Sequence, residues 1–193
     1  MISRFYCLSV LSGKDGEFKK NAQRTLDDSK FGFSGKLFSF RKMMRLKNGK
    51  IYDKLLFPGY LFLQTDEADP RNLFKFRQLN GFLKFLPDNS VPQELSGADL
   101  EIIRSFLQFG SIQGFVRAKF NENDRIVLLS PPFAGRSGTV IAVNRRNNRV
   151  KVRLDGVLGI TITDLTYYDI EKEDWSADEA EYRKKMVAAE TAS

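Results

Sequence analysis

Leu56-Phe57-Pro58-Gly59-Tyr60-Leu61-Phe62-Leu63-Gln64 sets a proline–glycine reversal directly against an apolar strand. Proline fixes its own φ and has no amide to donate, so Pro58 belongs at an edge, a bulge or the strand entrance. Gly59 permits close backbone packing, and Tyr60 offers both a ring and a hydroxyl. Upstream, Phe5-Tyr6-Cys7-Leu8-Ser9-Val10-Leu11 reads as a first strand of the same character. Phe57 and Tyr60, with Phe5 or Tyr6 nearby, either line a shallow aromatic pocket for a partner helix or belong to an ordinary core beside a proline turn. In a chain with 17 phenylalanines, residue chemistry by itself favours the core.

Between these strands, Phe18, Ala22, Thr25 and Leu26 share one face of a helix that ends near Asp28. The block from Lys36 to Leu56 contains Asn48-Gly49, a pair that tolerates positive φ and predicts a tight hairpin. Asp69-Pro70 opens another helix, and Phe82–Leu86 reads as a strand. Ser96 and Asp99 have capping-box spacing, with Leu95 and Leu100 as the staple and Ile103 and Leu107 continuing the apolar face. Residues 1–109 therefore predict an α+β sandwich, with helices over one apolar face of a mostly antiparallel sheet.

Residues 110–119 read as a connection. Over 120–172 strand patterns dominate, at Arg125–Leu129, Thr139–Val143, Val150–Leu154 and Ile160–Leu165, with Gly135 and Gly138 bracketing a tight turn. Val150, Val152 and Leu154 point inward by alternation, and the expected architecture is a small five-stranded barrel. In the tail, 173–193, Ser176 and Glu179 suggest a capping box with Trp175 and Ala180 as its staple. Tyr182 and Met186 form a stripe, and Arg183 can reach Glu179. A helix of about 15 residues is marginal in isolation.

The 193 residues are 42% hydrophobic and 28% charged, enough for one medium domain or two small ones. No stretch approaches the ~20 apolar residues of a membrane span, and no signal segment opens the sequence, so residence in the cytoplasm without membrane contact is expected. With one cysteine and no histidine, the usual His/Cys metal sites and a histidine relay are excluded. Cys7 sits in an apolar strand and reads as core. No catalytic constellation, cofactor motif or phosphate-cradling loop is present, so an enzyme is the weaker class.

The formal charge of +7 is unevenly distributed. Lys and Arg outnumber Asp and Glu by 18 to 12 over residues 1–115 and by 10 to 6 over 116–172, but the ratio is 3 to 6 from 173 onward. A positive body can meet nucleic acid or an acidic protein. Arg41, Lys42, Arg45, Lys47, Lys50 and Lys54 surround a single acid, Asp53. They form either a projecting hairpin beside nontemplate or upstream DNA, or a solvated hairpin that resists edge aggregation. Arg145, Arg146, Arg149, Lys151 and Arg153 lie in nine residues without an acid. They suit a hairpin RNA, and they equally suit a charged turn beside a strand's solvent face.

Phe120-Asn121-Glu122-Asn123-Asp124-Arg125-Ile126-Val127, followed by Pro131-Pro132-Phe133-Ala134-Gly135-Arg136-Ser137-Gly138-Thr139-Val140, resembles the KOW motif of the NusG family. Phe5-Tyr6 and Leu56-Phe57-Pro58-Gly59-Tyr60-Leu61-Phe62 match the same family in the same order, so the resemblance spans about residues 4–172. It implies an α+β domain followed by an SH3-like KOW barrel. It also implies a protein, monomeric when free, that binds the clamp helices of RNA polymerase and suppresses pausing or termination. Phe5, Tyr6, Phe57 and Tyr60 would lie at or beneath the polymerase-binding surface, with Phe5 at a position often held by tryptophan. In general members, the barrel can also bind Rho or a ribosomal protein. Here Gly156-Val157-Leu158-Gly159 lacks the usual Ile-Phe-Gly arrangement and Pro131 replaces a common glycine. Those departures point to a specialised, LoaP-like or polysaccharide-operon antiterminator. The alternatives are a general NusG or a ribosome-associated RNA-binding protein.

Overall fold

The computed structural model of the chain describes residues 3–67, 69–87, 91–134, 139–156 and 159–191. Its strands are β1 (Arg4–Val10), β2 (Gly35–Phe38), β3 (Arg41–Arg45), β4 (Ile51–Leu55), β5 (Tyr60–Thr65) and β6 (Phe82–Phe85), followed by β7 (Ile112–Gln113), β8 (Val116–Phe120), β9 (Ile126–Leu128), β10 (Thr139–Asn144), β11 (Arg149–Gly156) and β12 (Gly159–Asp169). The helices are α1 (Asp15–Asp27), α2 (Pro70–Leu73), α3 (Gly97–Gln108) and α4 (Ser176–Thr191). The chain divides into two compact units: Met1–Phe40 with Leu55–Arg104, and Arg41–Lys54 with Ser105–Ser193.

The first unit is an α/β domain built on an antiparallel sheet of order β2-β5-β1-β6. Strand alternation sends Tyr6, Leu8 and Val10 of β1 and Leu61 and Leu63 of β5 to one face. There they pack with Phe18, Ala22 and Leu26, the i, i+4, i+8 stripe of α1, and with Leu73, Phe76 and Phe85. Asp15 and Glu17 in the first turn of α1 and Arg24 in its last complement the helix dipole. From the same helix, Gln23 accepts the Leu37 amide (2.8 Å) and donates to the Gly35 carbonyl (2.9 Å), satisfying the open edge of β2. Asp69 caps α2 by accepting the Arg71 amide, with Pro70 at the first helical position as expected.

The sheet is apolar on both faces, whereas the sequence suggested one. Opposite α1 lie Phe5, Cys7 and Phe62, all buried, and the Phe62 ring packs on Phe40 and Phe57 at 5.4 and 5.7 Å. A run of buried residues in place of clean alternation is the mark of a strand covered twice. Asp99 of α3 lies near enough to Cys7 to add to the upward shift that burial gives its thiol.

In the second unit, β10-β11-β12-β8-β9 form a curled sheet, antiparallel except where β12 runs parallel to β8. Val150, Val152 and Leu154 are fully buried along β11. The expected closed barrel is not formed: among the described residues no ladder joins β9 to β10, so the sheet is a half-barrel. β9 has three residues, and β10 slips register between Val140 and Ala142, leaving Ile141 and Val143 exposed. A short strand and a bulged strand do not supply matched donors and acceptors for closure. The predicted turn at Gly135–Gly138, the Val157-Leu158 pair and Asp88–Ser90 lie outside the described residues.

The same unit holds a second sheet, β4-β3-β7. Asn48-Gly49 makes the expected reversal, with Gly49 at φ +83° and the Leu46 amide bonded to the Lys50 carbonyl at 2.9 Å. β3 then pairs in parallel with β7, two residues from the stretch expected to be a connection, and β8 begins in that stretch as well.

Truncating Phe76, which is fully buried and edge-on to Phe31 and Phe85, should cost ~3–5 kcal/mol. Leu11→Ala, at a half-exposed site, should stay within ~0.5 kcal/mol. Urea unfolding of both variants measures the contrast.

Candidate functional site

The reversal at Pro58-Gly59 is fixed from several sides. Gly59 has φ +80°, its carbonyl accepts the Val10 amide at 2.8 Å, and the Tyr60 amide reaches the Phe57 carbonyl at 3.2 Å. The Gly59 amide donates to the Asp15 carboxylate, whose second oxygen accepts the Gly13 amide at 3.1 Å. Asp15 is only 3% exposed, and a buried carboxylate with such partners orients the backbone around it. Nothing in the local sequence pattern singles out this residue.

Of the four predicted docking aromatics, Phe5, Tyr6 and Phe57 are buried and Tyr60 alone is half-buried. They do not share one face: Tyr6 points into the α1 core, while the register places Phe5, Tyr60 and Phe62 on the opposite face. Phe38, opposite Phe62 on β2 and half-buried, joins that face, with the Lys36 ammonium 5.3 Å from its ring centre. Sequence reasoning missed Phe38 because its register against β5 is a tertiary property. The resulting surface presents Phe38 and Tyr60 as partly open aromatics above the buried Phe40, Phe57 and Phe62 rings.

The hairpin bases are not a uniform cationic projection. The Arg41 guanidinium makes two bonds to the Asp53 carboxylate, at 2.6 and 2.9 Å. Lys42 is buried and donates to the Thr163 hydroxyl at 2.5 Å. Burial, opposed by Asp164 and reinforced by Lys54 and Arg149, pulls its pKa down to about 8. Arg45 pairs with Asp178 and lies 4.4 Å over the Trp175 ring. Lys47, Lys50 and Lys54 are exposed, and Lys54 also lies near the Tyr52 ring. Because β3 pairs with β7 and packs on the curled sheet, its side chains acquire partners that a free hairpin would lack.

The run from Arg145 to Arg153 is similarly divided. Arg145 pairs with Asp124 at 2.6 Å and lies 4.2 Å over the Phe120 ring. Arg149 bonds to the Thr166 hydroxyl and donates to the Arg45 carbonyl at 2.7 Å. Arg146 and Lys151 are exposed, while Arg153 is half-buried. A cleft of about 280 Å³ brings Arg146 together with Arg45, Lys47, Asn148, Thr166 and Trp175.

The tail helix also departs from its predicted cap. Ser176 is already helical and the Glu179 amide bonds to the Trp175 carbonyl. The Glu179 carboxylate accepts the Phe115 amide at 3.1 Å and the Arg183 guanidinium at 3.0 Å. A tertiary donor has taken the carboxylate that a capping box would use. The stripe of Tyr182 and Met186 packs with Trp175 onto Met43, Ile112, Phe115 and Tyr168.

Among the described residues no group of three or more His, Cys, Asp or Glu is arranged to hold a metal, and no helix is long and apolar enough to cross a membrane.

The family model described as "Transcription termination factor nusG" matches residues 3–104. A transcription termination/antitermination protein NusG of Thermus thermophilus is 29% identical over 168 residues, covering 79% of this chain and 89% of the relative. The protein of that name in Neisseria meningitidis is 25% identical over 182 residues, covering 89% and 99%. A solved structure titled "Domain interaction in Thermotoga maritima NusG" aligns with TM-score 0.57 over 86% of this chain and 94% of its own; at 16% identity it shows the fold.

Asp15→Ala should strand the buried Gly59 amide and raise its hydrogen-exchange rate by about tenfold or more, a cost within the ~1–3 kcal/mol of a lost buried partner. Lys42 should make stability rise between pH 8 and 10.5, since in that window the unfolded chain holds a proton that the folded one has released. Comparing wild type with Lys42→Met by denaturation across that range isolates the slope, which the variant should lack.

Proposed function

Since this chain belongs to the NusG family of transcription factors, we propose that its first unit docks on RNA polymerase through the face bearing Phe38 and Tyr60. The protein is non-catalytic and acts in transcription elongation and antitermination by coupling to polymerase. The observation that carries the docking assignment is a pair of half-open aromatics on a rigid, doubly covered sheet, next to a turn anchored by Asp15. Rings held in place lose little entropy on binding and suit an apolar groove between two helices, such as the clamp helices. Phe5 and Phe57 support that surface from beneath, while Tyr6 anchors the opposite face of the sheet in the α1 core.

The mechanism is a shift of conformational balance. A factor that binds the closed, elongating polymerase better than a paused form by ~1.4 kcal/mol changes their ratio tenfold. Suppression of pausing follows without covalent chemistry. The work divides between residues 1–109 for polymerase and 120–172 for a second contact, in the cytoplasm.

The relatives compared are named as termination/antitermination proteins, which favours a general NusG that also couples polymerase to Rho or the ribosome. Specialisation for selected operons, in the LoaP-like manner, draws support from Pro131 and the Gly156–Gly159 sequence. The exposed bases Lys47, Lys50, Lys54, Arg146 and Lys151 are the surface we assign to nontemplate DNA or nascent RNA. Long-range phosphate attraction needs open charges, and these are open.

Tyr60→Ala and Phe38→Ala should each keep the fold and weaken capture by a transcribing polymerase about tenfold or more. Unchanged capture by the double variant would remove the docking assignment.

A further inference from the structure

Arg45 is occupied in an unusual way for a cation on a basic hairpin. Its guanidinium lies 4.4 Å over the ring of Trp175 and pairs with the Asp178 carboxylate. Trp175 immediately precedes α4 and Asp178 lies in its first turn. Trp175 is fixed in turn by Phe115 and Tyr168, each with ring centres 5.5 Å away. An arginine that stacks on a flat ring while pairing with an anion is the arrangement by which proteins grip a base and its phosphate in a single strand.

The surroundings fit the same ligand. The 280 Å³ cleft beside Arg45 and Trp175 is lined by Lys47 and Arg146, with Asn148 and Thr166 as uncharged polar groups and Glu173 as the acid. Lys47 and Arg146 are exposed, so phosphate would reach them without desolvating a buried charge.

The covering helix is held by contacts that can be exchanged. α4 has 16 residues and, by length, little stability alone. The Arg45–Asp178 pair is partly open to water and contributes little net energy. Tyr182 and Met186 are half-buried, and Val187 is exposed. Besides the packing of Trp175, Tyr182 and Met186, the Glu179 carboxylate ties the helix down by accepting the Phe115 amide. That approach requires glycine at 114, where a Cβ would run into the carboxylate.

We propose that the start of α4 is an intramolecular stand-in for a nucleotide: Trp175 and Asp178 hold, on Arg45, the places of a base and a phosphate, and single-stranded nucleic acid displaces them. This rests on the reading of the hairpin and turn bases as a nucleic-acid surface and assigns its gate. The tail then sets a threshold, since a strand must outcompete an attached rival before it gains Arg45.

The test uses the full chain and labelled 12-mers of oligothymidylate and oligouridylate at constant ionic strength. Affinity is read by anisotropy and release of α4 by hydrogen exchange, with Trp175, the single tryptophan, as a fluorescent reporter. Binding of either oligomer should deprotect α4 and change Trp175 emission, and the tighter arm identifies DNA or RNA as the natural source. Gly114→Ala, which leaves charge unchanged, should tighten binding about fivefold by weakening the closed form. Asp178→Asn should tighten it more than Glu181→Gln, the same charge change at a site paired with Lys185 on α4 itself. Arg45→Ala should loosen α4 yet weaken binding. The proposal is overturned if neither oligomer binds, if α4 stays protected at saturation, or if the two acid variants gain affinity equally. Polymerase capture through Tyr60 is scored separately, so either result stands without the other.

Discussion

Burial on both faces of β1 and β5 is the constraint on which the first unit depends. A strand covered once has one set of side chains to keep in register, and one covered twice has two sets that must fit together. Leu8 and Leu61 pack toward α1 while Cys7 and Phe62 pack the other way. Neither set can move without disturbing the other. The Pro58-Gly59 turn inherits this rigidity, and the Asp15 carboxylate extends it to the backbone that presents Tyr60. A docking face of this kind is organised before any partner arrives, which reduces the entropy lost in binding.

The second unit follows a different logic, in which cations are satisfied by elements distant in sequence. Lys42 finds Thr163, Arg45 finds Asp178, and Arg149 finds the Arg45 carbonyl. Such contacts give the hairpin a fixed seat while withdrawing half of its charge from solvent. What remains open, at Lys47, Lys50 and Lys54, is the portion near and beyond the turn. Charge density read along a chain therefore overstates the field that a partner meets.

Local chemistry made much of the fold legible. The Asn48-Gly49 reversal, the α1 stripe and the inward valines of β11 each follow from residues within a few positions. Partner choice was not legible. β7 has two residues and no pattern, yet its parallel pairing with β3 decides where the hairpin sits. The half-barrel was read as closed because alternation reports which side chains are buried and is silent on whether the last strand meets the first. Ser176 and Glu179 had the spacing of a cap, but the Phe115 amide offered the carboxylate a better-placed donor. Of the four aromatics expected at or beneath a docking surface, Phe5, Tyr6 and Phe57 are buried and Tyr60 is partly open, a division that residue type cannot reveal because phenylalanine looks alike in either setting.

Assembling a unit from Arg41–Lys54 and Ser105–Ser193 has a consequence for biosynthesis. Lys42 and Thr163 are separated by 121 positions. At ~5–20 residues per second the ribosome needs about 6–24 s to make that stretch. Throughout that interval Met43 and Met44, buried in the finished protein, await Tyr168 and Thr166. The basic residues that flank them, Arg41, Lys42, Arg45 and Lys47, keep the nascent segment hydrated and discourage its self-association. The same charges thus serve as gatekeepers in youth and as ion-pair partners at maturity.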